Sequence, residues 1–212
     1  MSASSQERDW PQGRQLLEAR MVELIAFYRE LREIYGYYIQ VKAAIGQFNK
    51  WMSGQVSGST TRSNSLFFGQ DEPTQPGAEF QYVRTLGELI DASTGDGPLE
   101  VTHRRSVVVF MVASWEDSYR TRIAKELRLA KNDLKSDVFY DLNKYRQAIL
   151  HAGGTLRTEP RALRLFRKGD QVAFTHEHMH QVFRTLMNEL NRISREFYGI
   201  DAQFVFDTPL NN

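Results

Sequence analysis

The chain of 212 residues contains no cysteine, which excludes disulfides, thiol nucleophiles and thiolate metal centres. No uninterrupted apolar run approaches the roughly 20 residues that span a bilayer, and Met1-Ser-Ala-Ser-Ser-Gln-Glu-Arg-Asp9 lacks the basic-then-apolar order of a secretory leader. The expectation is a cytoplasmic protein without a membrane partner. Net charge is also nearly absent, at +1 over the whole chain. That balance hides an asymmetry: residues 101–170 hold 15 Lys and Arg against 8 Asp and Glu, a local excess of seven positive charges. Such a field attracts a polyanion and speeds its encounter, although solvated helix faces account for the same count.

With 41% hydrophobic and 25% charged residues, the chain can bury one good core, and a single domain over 1–212 is the default. Apolar positions Leu17, Met21, Leu24, Tyr28, Leu31, Ile34, Tyr38, Val41, Ile45, Phe48 and Met52 recur at steps of mostly four and three. No proline interrupts them, so the spacing predicts a long helix over 14–52, on the order of 55 Å, with surface to spare for a partner helix. Gly36 and Gly46 mark places for a kink or close packing. Residues 53–79 are rich in turn formers and predict a flexible loop, and Phe80 to Ala92 predicts a short helix. A buried helix is expected around His103 to Leu129 and another from Ser136-Asp137 to Ala152-Gly153, with Val138, Leu142, Tyr145 and Ile149 inward. Residues 163–174 suggest two short strands around Lys168-Gly169-Asp170, before a last amphipathic helix capped by Thr175. The fold expected is therefore all-α: a bundle of about five helices, with a long N-terminal helix, a motif-bearing bundle over 99–198 and a β-hairpin before the last helix.

The stretch Arg146-Gln147-Ala-Ile-Leu-His151, followed by Ala152-Gly153-Gly154, carries the chemistry. Around a helix Arg146 and His151 stand about 140° apart, Gln147 shares a face with His151, and Asn143 lies between. Upstream is Trp115-Glu116-Asp117-x-x-Arg120. The Arg-x4-His spacing at a helix end, with a polar residue after the arginine, resembles the active-site motif of the HEPN superfamily, and the element order of residues 100–195 is similar to HEPN bundles.

That resemblance implies a metal-independent endoribonuclease, homodimeric, in a toxin, stress or defence setting, with an antitoxin or defence-system protein as a further partner and no cofactor. It implies His151 as acid or base, Arg146 as phosphate clamp and Gln147 as the polar companion, where active relatives commonly carry asparagine, aspartate or histidine. Asn143, Glu116 and Arg120 would support substrate binding, with Glu116 orienting Arg146. Histidine and arginine suit metal-free RNA cleavage: one moves protons near neutrality, the other presents forked donors to phosphate. Two alternatives stay open: Arg146 pairs with Asp137 or Asp141 while His151 caps a helix, or the chain is a non-catalytic HEPN-like nucleic-acid-binding, nucleotide-binding or assembly module.

Other candidates are weaker. His176 and His180 share a helix face at chelating spacing, but no third ligand is evident and no metal is expected. His103-Arg104-Arg105 is a small basic cluster, and the aromatics from Phe27 to Tyr38 fit a core or dimer interface better than a base-stacking platform.

Overall fold

The computed structural model describes residues 19–56, 59–69, 77, 79–151 and 153–202, and they are mostly helical. In chain order come α1 (Val22–Gln55), α2 (Ser59–Arg62), β1 (Ser65–Gly69), β2 (Phe80–Thr85), α3 (Leu86–Ala92) and α4 (Pro98–Ala113). A π-helical turn (Ser114–Tyr119) leads into α5 (Arg120–Glu126), followed by α6 (Asp137–His151), α7 (His176–Ile193) and a second π-helical turn (Ser194–Tyr198). The chain divides into two compact units, one formed by residues up to Gly36 and from Arg105, the other by Tyr37–Arg104.

In the first unit, the early turns of α1 bury Met21, Leu24, Phe27, Tyr28 and Leu31. Phe27 packs beside Trp115, Tyr119 and Phe139 at ring separations of 5.4, 4.9 and 5.6 Å, and Trp115 stacks on Phe139 at 4.2 Å. Such pairs add about 0.5–1.5 kcal/mol each beyond area burial. The Glu126 carboxylate accepts from the Val22 and Glu23 backbone N–H groups at 2.9 and 3.0 Å, satisfying donors that a helix start leaves orphaned. Tyr198 donates its hydroxyl to the same carboxylate at 3.3 Å. The expected helix start near residue 14, with Leu17, lies outside the described residues.

α7 begins where Thr175 predicts it, with the Thr175 hydroxyl accepting from His178 N–H, and buries Met179, Val182, Leu186, Leu190 and Ile193. α6 starts with Ser136 accepting from Phe139 N–H at 3.2 Å. It buries Val138, Phe139, Asp141, Leu142, Tyr145 and Ala148, whereas Ile149 is only half-buried.

Helix α1 is unbroken from Val22 to Gln55, and among the described residues an added Cβ at Gly36, in the first unit, or at Gly46, in the second, would meet nothing within 4 Å, so neither glycine serves close packing there. Tyr38 and Met52 are buried while Val41 and Phe48 are exposed, so the inward stripe is interrupted in the later turns. Arg104, only 1% exposed, is held by Glu100 at 3.0 Å and Asp96 at 2.8 Å.

Three expectations are corrected. The stretch 53–79 is not all loop, because α1 runs to Gln55 and α2 and β1 follow; residues 57–58, 70–76 and 78 of that stretch lie outside the described residues. The helix expected over 80–92 is divided: Phe80–Thr85 is a strand antiparallel to β1, with Phe67 opposite Val83, and only Leu86–Ala92 is helical. Thr85 and Glu88 form a reciprocal capping box at that junction.

The hairpin expected over 163–174 does not form. Its turn exists, with Asp170 N–H donating to the Arg167 carbonyl at 3.0 Å and Gly169 at φ 96°. Beyond it, however, residues 169–172 pair with 154–156 through a single bridge, Thr155 to Gln171. The would-be first strand is taken by buried side chains. The Asp141 carboxylate, with no exposure, accepts backbone N–H groups of Arg161 (2.9 Å), Ala162 (2.7 Å) and Leu163 (2.8 Å). Tyr145 donates to the Leu163 carbonyl and accepts from Leu165 N–H at 3.3 Å.

Asp141→Asn retains the shape but loses an acceptor, so it is expected to lower stability by about 2–4 kcal/mol in equilibrium urea unfolding; an unchanged midpoint would remove this anchor from the account. Burial pushes the Tyr145 hydroxyl up to about 12, and burial and then the Glu126 charge raise that of Tyr198. The folded state thus keeps protons that the unfolded chain loses near pH 10. Stability is intact below about pH 10 and falls as pH rises towards 12, and Tyr145→Phe flattens that fall; melting curves at stepped alkaline pH measure it.

Candidate active site at the C-terminal end of α6

α6 ends at His151, and the chain turns at Gly153 and Gly154, whose φ angles are 58° and 87°. The Gly154 N–H returns to the Ala148 carbonyl at 2.9 Å. A Cβ at Gly154 would approach Gln171 Oε1 to 2.8 Å, a clash the end of that exposed side chain can relieve, so it is the left-handed dihedral that favours glycine here. Beyond the turn, Thr155–Thr158 run back beside the end of α6 and close an open pocket of about 370 Å³.

Lys144, Arg146, Gln147, Ala148, Leu150, His151, Thr155, Leu156, Arg157 and Thr158 line it. Among the described residues of that lining stand three permanent cations and one histidine, and no carboxylate. The arrangement presents N–H donors and positive charge to an anion, with threonine hydroxyls alongside.

Arg146 is half-buried, and its Nε, shielded from solvent, has no hydrogen-bond partner among the described residues. Both proposed carboxylate partners are committed elsewhere: Asp141 to the 161–163 backbone, Asp137 to Arg161 at 3.0 Å. Among the described residues no carboxylate pairs with Arg146, leaving its guanidinium uncompensated at the pocket. His151 is exposed at the last position of α6. Gln147, also exposed, accepts from Lys144 Nζ at 3.3 Å.

The pocket therefore gathers Arg146, Gln147 and His151, but not the other three sequence-predicted residues. Asn143 is half-buried, its Oδ1 shielded and without a partner, and it does not line the pocket. Glu116 and Arg120 pair with each other at 3.1 Å. Arg120 also donates to the Leu134 carbonyl at 3.1 Å, while Lys131 approaches the Glu116 carboxylate at 3.9 Å and donates to the Glu116 carbonyl at 2.6 Å. Glu116 is thus occupied in a local network and makes no hydrogen bond with Arg146.

Sequence reasoning missed Lys144 and Arg157. Lys144 lies one turn before Gln147 and could have been read from helical spacing; Arg157 becomes part of the site only because the chain reverses at the glycines. Taken as a whole, the chain matches no protein-family model, no curated protein and no solved structure.

If the pocket is an anion cradle, sulfate raises the melting temperature of the wild type, by an amount that grows with the logarithm of its concentration once above the dissociation constant. The Lys144→Ala/Arg146→Ala/Arg157→Ala variant keeps its helical circular dichroism but loses that rise. An equal sulfate response in both proteins would place anion binding elsewhere.

Proposed function

We propose that the chain is a metal-independent endoribonuclease of HEPN type, cleaving RNA at the pocket formed by Arg146, Gln147, His151, Lys144 and Arg157. The observation that carries this reading is the uncompensated Arg146 beside exposed His151 in a lining without carboxylates. An arginine kept only for stability would be expected to have its partner, and the nearby Asp137 and Asp141 are both engaged elsewhere.

In-line transfer needs a base for the 2′-hydroxyl proton, an acid for the departing 5′-oxygen and cations for charge on the phosphorane. The 2′-oxygen forms a bond to phosphorus as the 5′-oxygen bond breaks; one proton is removed at the former and one supplied at the latter. The products carry a 2′,3′-cyclic phosphate and a free 5′-hydroxyl. His151 moves one of these protons, and Arg146, with Lys144 and Arg157, holds the nonbridging oxygens. A two-fold pairing of the chain would supply a second His151, so one imidazole serves as base and the other as acid. A homodimer acting on RNA, in toxin, stress or defence function with a regulatory protein partner, is the setting this reading favours.

Incubation with total RNA in EDTA tests it, using wild type, Arg146→Ala and His151→Ala of verified fold. Cleavage by wild type to cyclic phosphate ends is expected, with losses of about 10²–10⁴-fold for His151→Ala. Binding of RNA without cleavage by any of the three would replace the enzyme with the non-catalytic binding module.

A further inference from the structure

His176 and His180, one helical turn apart at the start of α7, turn their Nε2 atoms towards each other at 3.0 Å. The ring centroids are 4.3 Å apart with planes at 67°, so the two nitrogens converge rather than the ring faces stacking. The remaining nitrogen of His180, Nδ1, is hydrogen-bonded to the Tyr35 hydroxyl from α1. Tyr35 is itself fixed by stacking on Phe183 at 4.2 Å and 11°, and all three members of the His176–His180–Tyr35 cluster are half-buried. His178, the third histidine of this stretch, turns away and accepts from Thr175 N–H at 3.3 Å.

Two imidazole nitrogens bound to one ion by bonds of about 2.0–2.1 Å lie about 2.9 Å apart at a right angle and about 3.3 Å apart at a tetrahedral angle. The observed separation falls inside that interval, near its right-angle end. A hydrogen-bonding partner on the non-ligating nitrogen is also what orients a ligating histidine and sets its tautomer. We propose that His176 and His180 form a binding site for a borderline divalent transition ion of the nickel, copper or zinc type, with Tyr35 as the positioning residue for His180.

Among the described residues no group of three or more His, Asp or Glu side chains is placed to hold an ion, so the proposed site rests on these two imidazoles. The proton balance is simple. Before binding, one imidazole N–H lies between the two Nε2 atoms; on binding, metal–nitrogen bonds replace it. Where that N–H is His180's, its proton passes to His180 Nδ1 and the Tyr35 hydroxyl accepts from it; where it is His176's, the proton passes to His176 Nδ1. The site shares no residue with the Arg146 pocket and does not depend on the ribonuclease reading.

Calorimetric titration of the full chain with nickel chloride at pH 7.5 tests the proposal. One ion per chain is expected, weakened at least tenfold by either His176→Ala or His180→Ala. Tyr35→Phe weakens it by about tenfold, the lower end of what loss of an orienting partner costs. If an alanine variant fails to fold, ¹⁵N-edited imidazole spectra of the wild type with zinc decide instead: the His176 and His180 signals shift together while those of His103, His151 and His178 stay. Isotherms indifferent to both histidine substitutions, an absence of binding at millimolar ion, or zinc-dependent shifts confined to the other histidines would each overturn the site.

Discussion

The buried Asp141 carboxylate is the constraint around which the candidate active site is arranged. Three backbone N–H groups from Arg161, Ala162 and Leu163 converge on it, and Tyr145, one turn further along α6, engages Leu163 and Leu165. An ionised carboxylate is costly to bury unless such donors replace its water, and here they do so while tying a non-helical segment to the inward face of α6. Because the segment is held there, the intervening residues must turn tightly at Gly153 and Gly154 and run back past the end of the helix. That return brings Thr155 and Arg157 beside Arg146 and His151. Asp141 thus acts at a distance: it shapes the pocket wall and, being fully engaged, leaves Arg146 without a carboxylate.

Helical spacing made the motif helix legible from Ser136 to the glycine pair, and it placed Arg146, Gln147 and His151 at one end. The same reasoning failed where side chains far away in sequence compete for backbone groups. Residues 163–174 alternate as strands do around a Lys-Gly-Asp turn, but strand pairing needs free N–H and C=O groups. The N–H groups of Arg161, Ala162, Leu163 and Leu165 and the Leu163 carbonyl are bound by Asp141 and Tyr145, some 18 to 22 residues earlier. The real strands, Ser65–Gly69 and Phe80–Thr85, were hidden for a different reason. Phe80, Val83, Leu86, Leu89 and Ile90 satisfy a helical period from end to end, and only the Thr85-x-x-Glu88 capping box showed that the helix begins at Leu86. A supporting role for Asn143 rested on helical spacing and one for Glu116 on resemblance, and neither these two nor Arg120 lines the pocket.

The local excess of positive charge now has a partly specific explanation. Part of it is paired, Arg161 with Asp137 on the surface and Arg120 with Glu116 in a part-buried bridge, and an exposed pair such as the first contributes little to stability. The cations at the end of α6 differ because the pocket lining includes no carboxylate to offset them. Uncompensated charge at a concave surface is unfavourable for the isolated chain and favourable once a phosphate enters, and this difference supports a ligand-binding role for the arrangement.

The central claim is that the pocket promotes attack by a ribose 2′-hydroxyl on its own phosphodiester. The most direct measurement uses a DNA oligonucleotide containing one ribonucleotide, matched with an otherwise identical strand bearing a 2′-O-methyl group there, each incubated with the protein in EDTA. The account predicts a single cut, immediately 3′ of the ribonucleotide, and an intact methylated strand. Cleavage of both strands, or cutting at deoxynucleotide positions, would contradict it.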